Sequence, residues 1–291
     1  MKQTTGEKIF GAFNMLMLGI VALLCLYPFI YTLTISLSTA TEASREGFHF
    51  YPKEISLTSY KVVLSNPDIV TGFMNSVVRT VLGTVLTLLA TCVAAYPLSR
   101  REMPHRSLIT FIIVFTMLFG GGMVPGYLLI KKLGLINTVW VLVVPGMLSA
   151  FNIIIVKNFF QSLPESLIES ARMDGAGEWR ILFQIFIPLS KPVLATVALW
   201  SAVAHWNAWF DAMLYITDDS KQVLQTFLQR IVIESGTRMM ELGINNTAVL
   251  SFTAETIKAA TIIVTILPII CVYPFVQKYF VKGIMLGGVK E

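Results

Sequence analysis

Six windows of this sequence are each long enough to cross a bilayer, and together they hold a single charged residue. They are 9–37, 72–99 (interrupted by Arg79), 107–130, 133–156, 192–210 and 259–277. An α-helix rises 1.5 Å per residue, so about 20 apolar residues cover ~30 Å of hydrocarbon. In that medium every backbone amide must be satisfied within the chain, which leaves helices or closed barrels. A membrane barrel would show ~10-residue segments of alternating polarity, and the sequence has none. The windows predict an all-α membrane protein with six transmembrane helices, read as one membrane domain over 1–291 because no repeat or linker divides it. Composition agrees. The chain is 13% charged, against about 25% for a soluble domain.

The first window is too long for a signal-peptide core and lacks a small-residue cleavage site, so it reads as a retained helix. The net charge of +5 does not point to nucleic acid, because the basic residues follow the membrane rule. Lys2, Lys8, Arg100, Arg101, Arg106, Lys278, Lys282 and Lys290 share one side if both termini are cytoplasmic; Lys131 and Lys132 run against that assignment. Cys25, Cys92 and Cys271 lie far apart inside spans, with no C-x-x-C spacing, and read as buried small apolar residues with neither metal site nor disulfide. Gly120–Gly122 and Pro125-Gly126 should break the third span near its outer end. Segment 38–71 reads as a strand-like or turn-like external connector. Segment 211–256 reads as the largest external loop, with Val223, Phe227, Ile231 and Glu234 at amphipathic-helix spacing and a turn at Asn245–Thr247.

The charged loop 157–191 carries the most pattern. Ser162 and Glu165 fit a capping box, with Pro164 in the first turn. Leu167, Ile168 and Ala171 form one apolar face, and Asp174-Gly175 supplies a left-handed stop. Trp179, Leu182, Phe183 and Phe186 fall at i, i+3, i+4 and i+7 of a second short helix, which Pro188 ends. Two short amphipathic helices thus meet at a glycine corner, a rigid element able to receive motion from a partner. The plainer alternative is a helix pair lying on lipid headgroups.

Several chemistries are missing. There is no G-x-x-x-x-G-K-[ST] loop to cradle phosphates, no H-E-x-x-H and no G-x-S-x-G. His49, His105 and His205 are scattered. The expectation is no catalytic residue, no metal site and no cofactor held by this chain. Paired intramembrane acids, which a secondary transporter would need, are also missing from the six windows. His205 reads as a packed span histidine, with sugar contact as the alternative. Arg79 reads as a snorkelling or structurally paired cation, with a place on the substrate path as its alternative.

The loop's spacing, Glu169-x-Ala171-x3-Gly175-x9-Ile185-x-Ile187-Pro188, resembles the "EAA" signature of membrane subunits of ATP-binding-cassette importers. Ser170 and Ile187 depart from its usual alanine and leucine. Trp206-Asn207-x-Trp209 resembles the W-N pattern of carbohydrate-type permeases, the family of the maltose system's smaller membrane subunit. The C-terminal QKYFVKGIMLGGVKE is similar to that family's terminal segment. FGGGMVPGYLLIKKLGLINT is similar to the branch for complex, often acidic, oligosaccharides.

The resemblance implies a type I importer permease fold in a bacterial inner membrane, with loop 157–191 as its cytoplasmic coupling helix. It implies a heterodimer with a second permease, two ATPase subunits that bind ATP and Mg, an extracytoplasmic solute-binding protein and an oligosaccharide substrate. Glu169, Ala171, Asp174, Gly175, Ile185 and Pro188 would couple to the ATPase. Gly287 and Gly288 would contact it through the tail, and Trp206, Asn207 and Trp209 would border the translocation path. A permease of the same type for a peptide or glycerol phosphate is the open alternative.

Overall fold

The computed structural model describes the backbone of residues 4–45, 47, 49–233 and 253–288, and side chains as far as 231 and over 253–272. It is helical, with no strand among the described residues beyond one isolated antiparallel bridge, Ser38 to Ile55. The helices are α1 (Thr5–Leu37), α2 (Ala40–Ala43), α3 (Thr58–Ser65), α4 (Pro67–Ser99) and α5 (Arg106–Leu118). Next come α6 (Met123–Lys132), α7 (Ala150–Gln161), α8 (Ser166–Met173), α9 (Glu178–Ile181), α10 (Ile187–Leu189) and α11 (Lys191–Asn207). The last three are α12 (Phe210–Tyr215), α13 (Leu224–Ile233) and α14 (Ala254–Gly288). The chain forms two compact units, Met1–Val70 with Leu228–Leu267, and Thr71–Phe227 with Pro268–Glu291.

In the first unit α1 opens on a capping box, Glu7 N donating to Thr4 Oγ1 at 3.4 Å and Thr4 N to Glu7 Oε2 at 2.8 Å. No residue from Thr5 to Leu33 is buried, as suits a helix solvated by lipid or by other spans, and only Thr34, Ile35 and Ser36 at its end are covered. The connector after it is more ordered than its sequence suggests. The carboxylate of Glu42, on α2, accepts the Lys53 amide at 2.6 Å and the Glu54 amide at 3.2 Å. That closes a loop whose backbone donors would otherwise go unpaired, and Tyr60 of α3 bonds Ser36 at 2.8 Å.

Among the described residues, three helices are long and apolar enough to span a membrane: α1, α4 and residues Ala254–Val272 of α14. Two more candidates are bent pairs, α5 with α6 at 114° and Glu178–Leu189 with α11 at 83°. The α5–α6 break falls at the glycine run, where Gly122 takes φ +84°. Window 133–156 is not one helix. Residues 133–149 make turns and a single 3-10 turn, Val139–Leu142, and α7 runs past the window's end to Gln161. Apolarity cannot tell a helix from irregular backbone packed inside protein, and Pro145 and Gly146 favour the latter. Pro97 lies inside α4. Cys92 is buried, whereas Cys25 and Cys271 are exposed. The 223–231 spacing does form a helix, α13; Glu234, Asn245–Thr247 and the tail beyond Gly288 lie outside the described residues.

Candidate functional site

The loop 162–190 folds as an elbow whose glycine is fixed by hydrogen bonds. At the end of α8, Ala176 N bonds Ala171 O at 2.9 Å and Gly175 N bonds Arg172 O at 3.0 Å. This is the Schellman arrangement, and it needs a left-handed residue. Gly175 supplies it at φ +76° with open space around it, so the requirement for glycine is conformational rather than steric. The start of α8 differs from the sequence reading. Ser162 ends α7, donating to Phe159 O at 2.7 Å, and Glu165 makes no side-chain cap. With Pro164 two residues ahead of α8 rather than in its first turn, the capping-box register is lost.

Ile168 and Ala171 face inward as expected, but Leu167 is exposed. In the second arm Ile181, Leu182 and Phe186 are buried, whereas Trp179 and Phe183 are exposed. Ile181, Leu182, Ile185 and Phe186 recur at i, i+1, i+4 and i+5, so a neighbouring face of the same helix is the one buried. The stretch Leu182–Phe186 is π-helical. Pro188 has no N–H to return to the carbonyl of Gln184, and the widened turn accommodates it. Pro188 therefore deforms this arm rather than ending it; the arm stops at Leu189, where the 83° bend begins.

The buried residues join Cys92, Ala95, Tyr96 and Leu98 of α4, Ile153, Val156 and Phe160 of α7, and Val197 of α11 in one cluster. Phe186 meets Tyr96 and Phe160 edge-on, with centroids 5.0 and 5.2 Å away. At about 25 cal/mol per Å² of apolar burial, such a core fixes the elbow to the three helix ends. Ile185 packs against this cluster, while Glu169, Asp174, Gly175 and Pro188 are exposed. The exposed side also carries a charged clasp. Arg172 bonds Glu178 at 2.9 Å and Glu102 at 3.3 Å, and Tyr96 donates to the other oxygen of Glu178. The Tyr96 hydroxyl, then Arg172, hold the Glu178 carboxyl below its ordinary range. The motif reading missed this clasp, although opposite charges three residues to either side of Gly175 were a visible signal.

A second feature lies between α4, α7, α11 and α12. A cavity of about 640 Å³ is lined by Arg79, Ser149, Asn152, Trp200, His205 and Asp211, among others. Arg79 is 2% exposed. It does not snorkel; it pairs with Asp211 and donates to Ala208 O at 3.0 Å. Asp211 opens α12, one residue past the apolar window, so sequence gave no sign of the pairing. Gly83, one turn beyond Arg79, touches the His205 ring so closely that a Cβ would stand 2.4 Å from Nε2. Trp206 is buried edge-on to Phe73, centroids 5.8 Å apart, and serves packing between α11 and α4. Asn207 is exposed and Trp209 packs edge-on to Phe210 at 5.8 Å. None of the three lines this cavity; Trp200 and His205 do. No group of three or more metal-ligating side chains occurs among the described residues.

A family profile, described as "Binding-protein-dependent transport system inner membrane component", matches residues 69–286. The chain belongs to this family. It is a transport permease component, not a catalytic one. Among its relatives, Protein LplC of Bacillus subtilis is 42% identical over 290 residues, covering 100% of this chain and 98% of that protein. The polygalacturonan/rhamnogalacturonan transport system permease protein YtcP of the same bacterium is 42% identical, covering 96% and 98%. A solved bacterial ABC transporter involved in the import of the acidic polysaccharide alginate has a chain 36% identical to this one. That match has a TM-score of 0.91 and covers 96% and 99% of the two chains. The shared architecture is the type I ABC importer permease fold.

Proposed function

We propose that this chain is the membrane-spanning subunit of an ATP-driven, binding-protein-dependent importer of oligosaccharides, with uronate-containing chains as its substrate class. The elbow is the coupling element. ATP and Mg bind two partner ATPase subunits, and closure of that pair moves α8 and α9. The buried cluster passes the motion to α4, α7 and α11, changing which side of the membrane the path faces. ATP must favour one arrangement through contacts made only there. The full assembly includes a second permease and an external binding protein. The chain crosses the inner membrane six times with both termini cytoplasmic, and Gly287 and Gly288 reach the ATPase.

The observation that carries this reading is the elbow's two-sidedness. Ile168, Ala171, Ile181, Leu182 and Phe186 are anchored in the core of the span ends, while Glu169, Asp174 and Trp179 are exposed. A lipid-resting helix pair has no need of that rigid attachment. The acidic-sugar assignment takes its support from the relatives named for polygalacturonan/rhamnogalacturonan and alginate.

Glu169→Lys tests the coupling role. Lysine keeps the helix but reverses the charge offered to a basic groove. The variant should insert normally, lose uptake and release or uncouple the ATPase in a co-purification assay. A charge-reversed residue in the ATPase groove should restore part of both. Normal uptake with the ATPase bound would reject the elbow as the coupling element.

A further inference from the structure

The cavity bordered by α4, α7, α11 and α12 has a lining that coupling does not use. Trp200, Asn152, Ser149, Ser201 and Tyr215 bring a ring, an amide and hydroxyls to one volume, the groups that hold a pyranose by stacking and hydrogen bonds. Its size falls within the range of about 300–1,000 Å³ typical of small-ligand sites. One permanent cation, Arg79, stands in this wall.

A guanidinium offers five N–H donors in a planar fork that matches a carboxylate in two-point fashion. Arg79 gives Nη1 to Ala208 O and Nη2 to Asp211, while its buried Nε has no hydrogen-bond partner. The fork is incompletely used. Its two partners also differ in their access to water. The Arg79 side chain is 3% exposed, that of Asp211 31%. The other oxygen of Asp211 accepts the Ala212 amide at 2.9 Å, so that carboxylate keeps a partner and water when the guanidinium leaves it. The cation is fixed and the anion replaceable. A buried ion pair gains little net free energy after desolvation, so a second carboxylate arriving on the side that Asp211 holds competes on nearly even terms.

We propose that Arg79 reads the carboxylate of a passing uronate, which takes the guanidinium in place of Asp211, and that Asp211 occupies it between transport events. The exchange is ionic and breaks no covalent bond. This inference rests on the acidic-oligosaccharide reading above. It makes the subunit a direct contributor to the path, through a residue that the W-N pattern does not include.

The test uses the assembled importer in vesicles, with Cys25, Cys92 and Cys271 replaced and Ser149→Cys as a reporter in the cavity wall. The reporter's reaction with an anionic methanethiosulfonate is followed with and without oligogalacturonate, and separately with a neutral maltooligosaccharide. Oligogalacturonate should protect the reporter and the neutral sugar should not. Arg79→Gln should raise the concentration for half-protection about tenfold or more, the scale of one charge-assisted hydrogen-bond pair. Asp211→Asn should lower it several-fold, since the resident competitor loses its charge. Asp211→Asn also keeps the proposal testable if Arg79→Gln fails to assemble. Protection unchanged by either substitution, or equal for the neutral sugar, overturns the role of Arg79. Labelled uptake by the unsubstituted importer separates the two levels. Import of oligogalacturonate together with Arg79-independent protection sinks this inference alone, whereas import of neutral sugar only sinks the acidic-substrate reading with it.

Discussion

Arg79 and Arg172 both hold carboxylates, and they do so under opposite conditions. Arg79 is closed off from water and joins the middle of α4 to the start of α12. Arg172 lies on the elbow's outer surface, 41% exposed, and joins α8 to Glu178 and to the segment after α4 through Glu102. The chemistry is the same, but the free energies are not. An exposed pair is screened by water and salt and contributes little. A buried pair adds little over an apolar filling, yet costs about 3–5 kcal/mol to break by removing one partner. The cavity pair is thus a lock that fails hard, and the elbow clasp is an alignment device that fails softly.

The glycines of the two regions repeat the contrast. Gly83 is needed for space, because the His205 ring occupies the position of its Cβ. Gly175 has all the space it needs and is required for its backbone angle.

The largest effect should come from Asp211→Leu, which leaves the Arg79 charge buried and uncompensated. We expect a loss of about 3 kcal/mol or more, seen as a marked fall in the melting temperature of the detergent-solubilised protein. Arg79→Met should cost less, since the remaining carboxylate is partly wet, and the double variant should recover most of the loss. Equal effects from the two single variants would remove the asymmetry on which the lock rests.

The glycines come next. Gly83→Ala forces a methyl group onto the imidazole and should cost about 1–3 kcal/mol, largely restored by His205→Ala. Gly175→Val should cost about 1–3 kcal/mol through its backbone alone. Gly175→Asn should cost less, because asparagine tolerates the left-handed region. Thermal stability and ATPase co-purification distinguish the two cases. If Asn is no better than Val at 175, the conformational explanation is wrong.

The smallest effect concerns the clasp. Arg172→Ala should change stability least of all, because both charges are screened by water, and added salt should shrink the difference. Glu178 has a depressed folded pKa, so its contribution is present above the ordinary carboxyl value of about 4.5 and is lost as the pH falls through the lower folded value. A stability titration below pH 5 should show that loss in the parent and a smaller one in Arg172→Ala. Identical curves would leave the clasp with no energetic role.

Particular residues show how far the sequence could be read. Gly175 was legible because a left-handed stop after an amphipathic turn has few residue solutions. The inward face of Ile168 and Ala171 followed from spacing. The face of the second arm did not, because a regular 100° rotation places Trp179 and Phe183 with Leu182. The core instead takes the adjacent face, Ile181, Leu182, Ile185 and Phe186, which a regular helix presents equally well. The charge of Arg79 stood out within its window, but its partner is 132 positions away, and spacing carries no information over that distance. The W-N pattern marked Trp206, whose ring packs against Phe73, while Trp200 and His205 of the same helix line the cavity.

By itself the sequence determined the class of the protein. Long uncharged runs without alternating polarity leave helices as the spanning structure in a hydrocarbon solvent, and the spacing of Glu169, Ala171, Gly175 and Pro188 singled out the elbow. Tertiary structure decided which apolar windows are single helices, which face of each arm is buried, and which distant carboxylate neutralises Arg79. Those outcomes depend on packing and on pairings across more than a hundred residues. Local periodicity records only what one helix must hide, not which neighbour hides it.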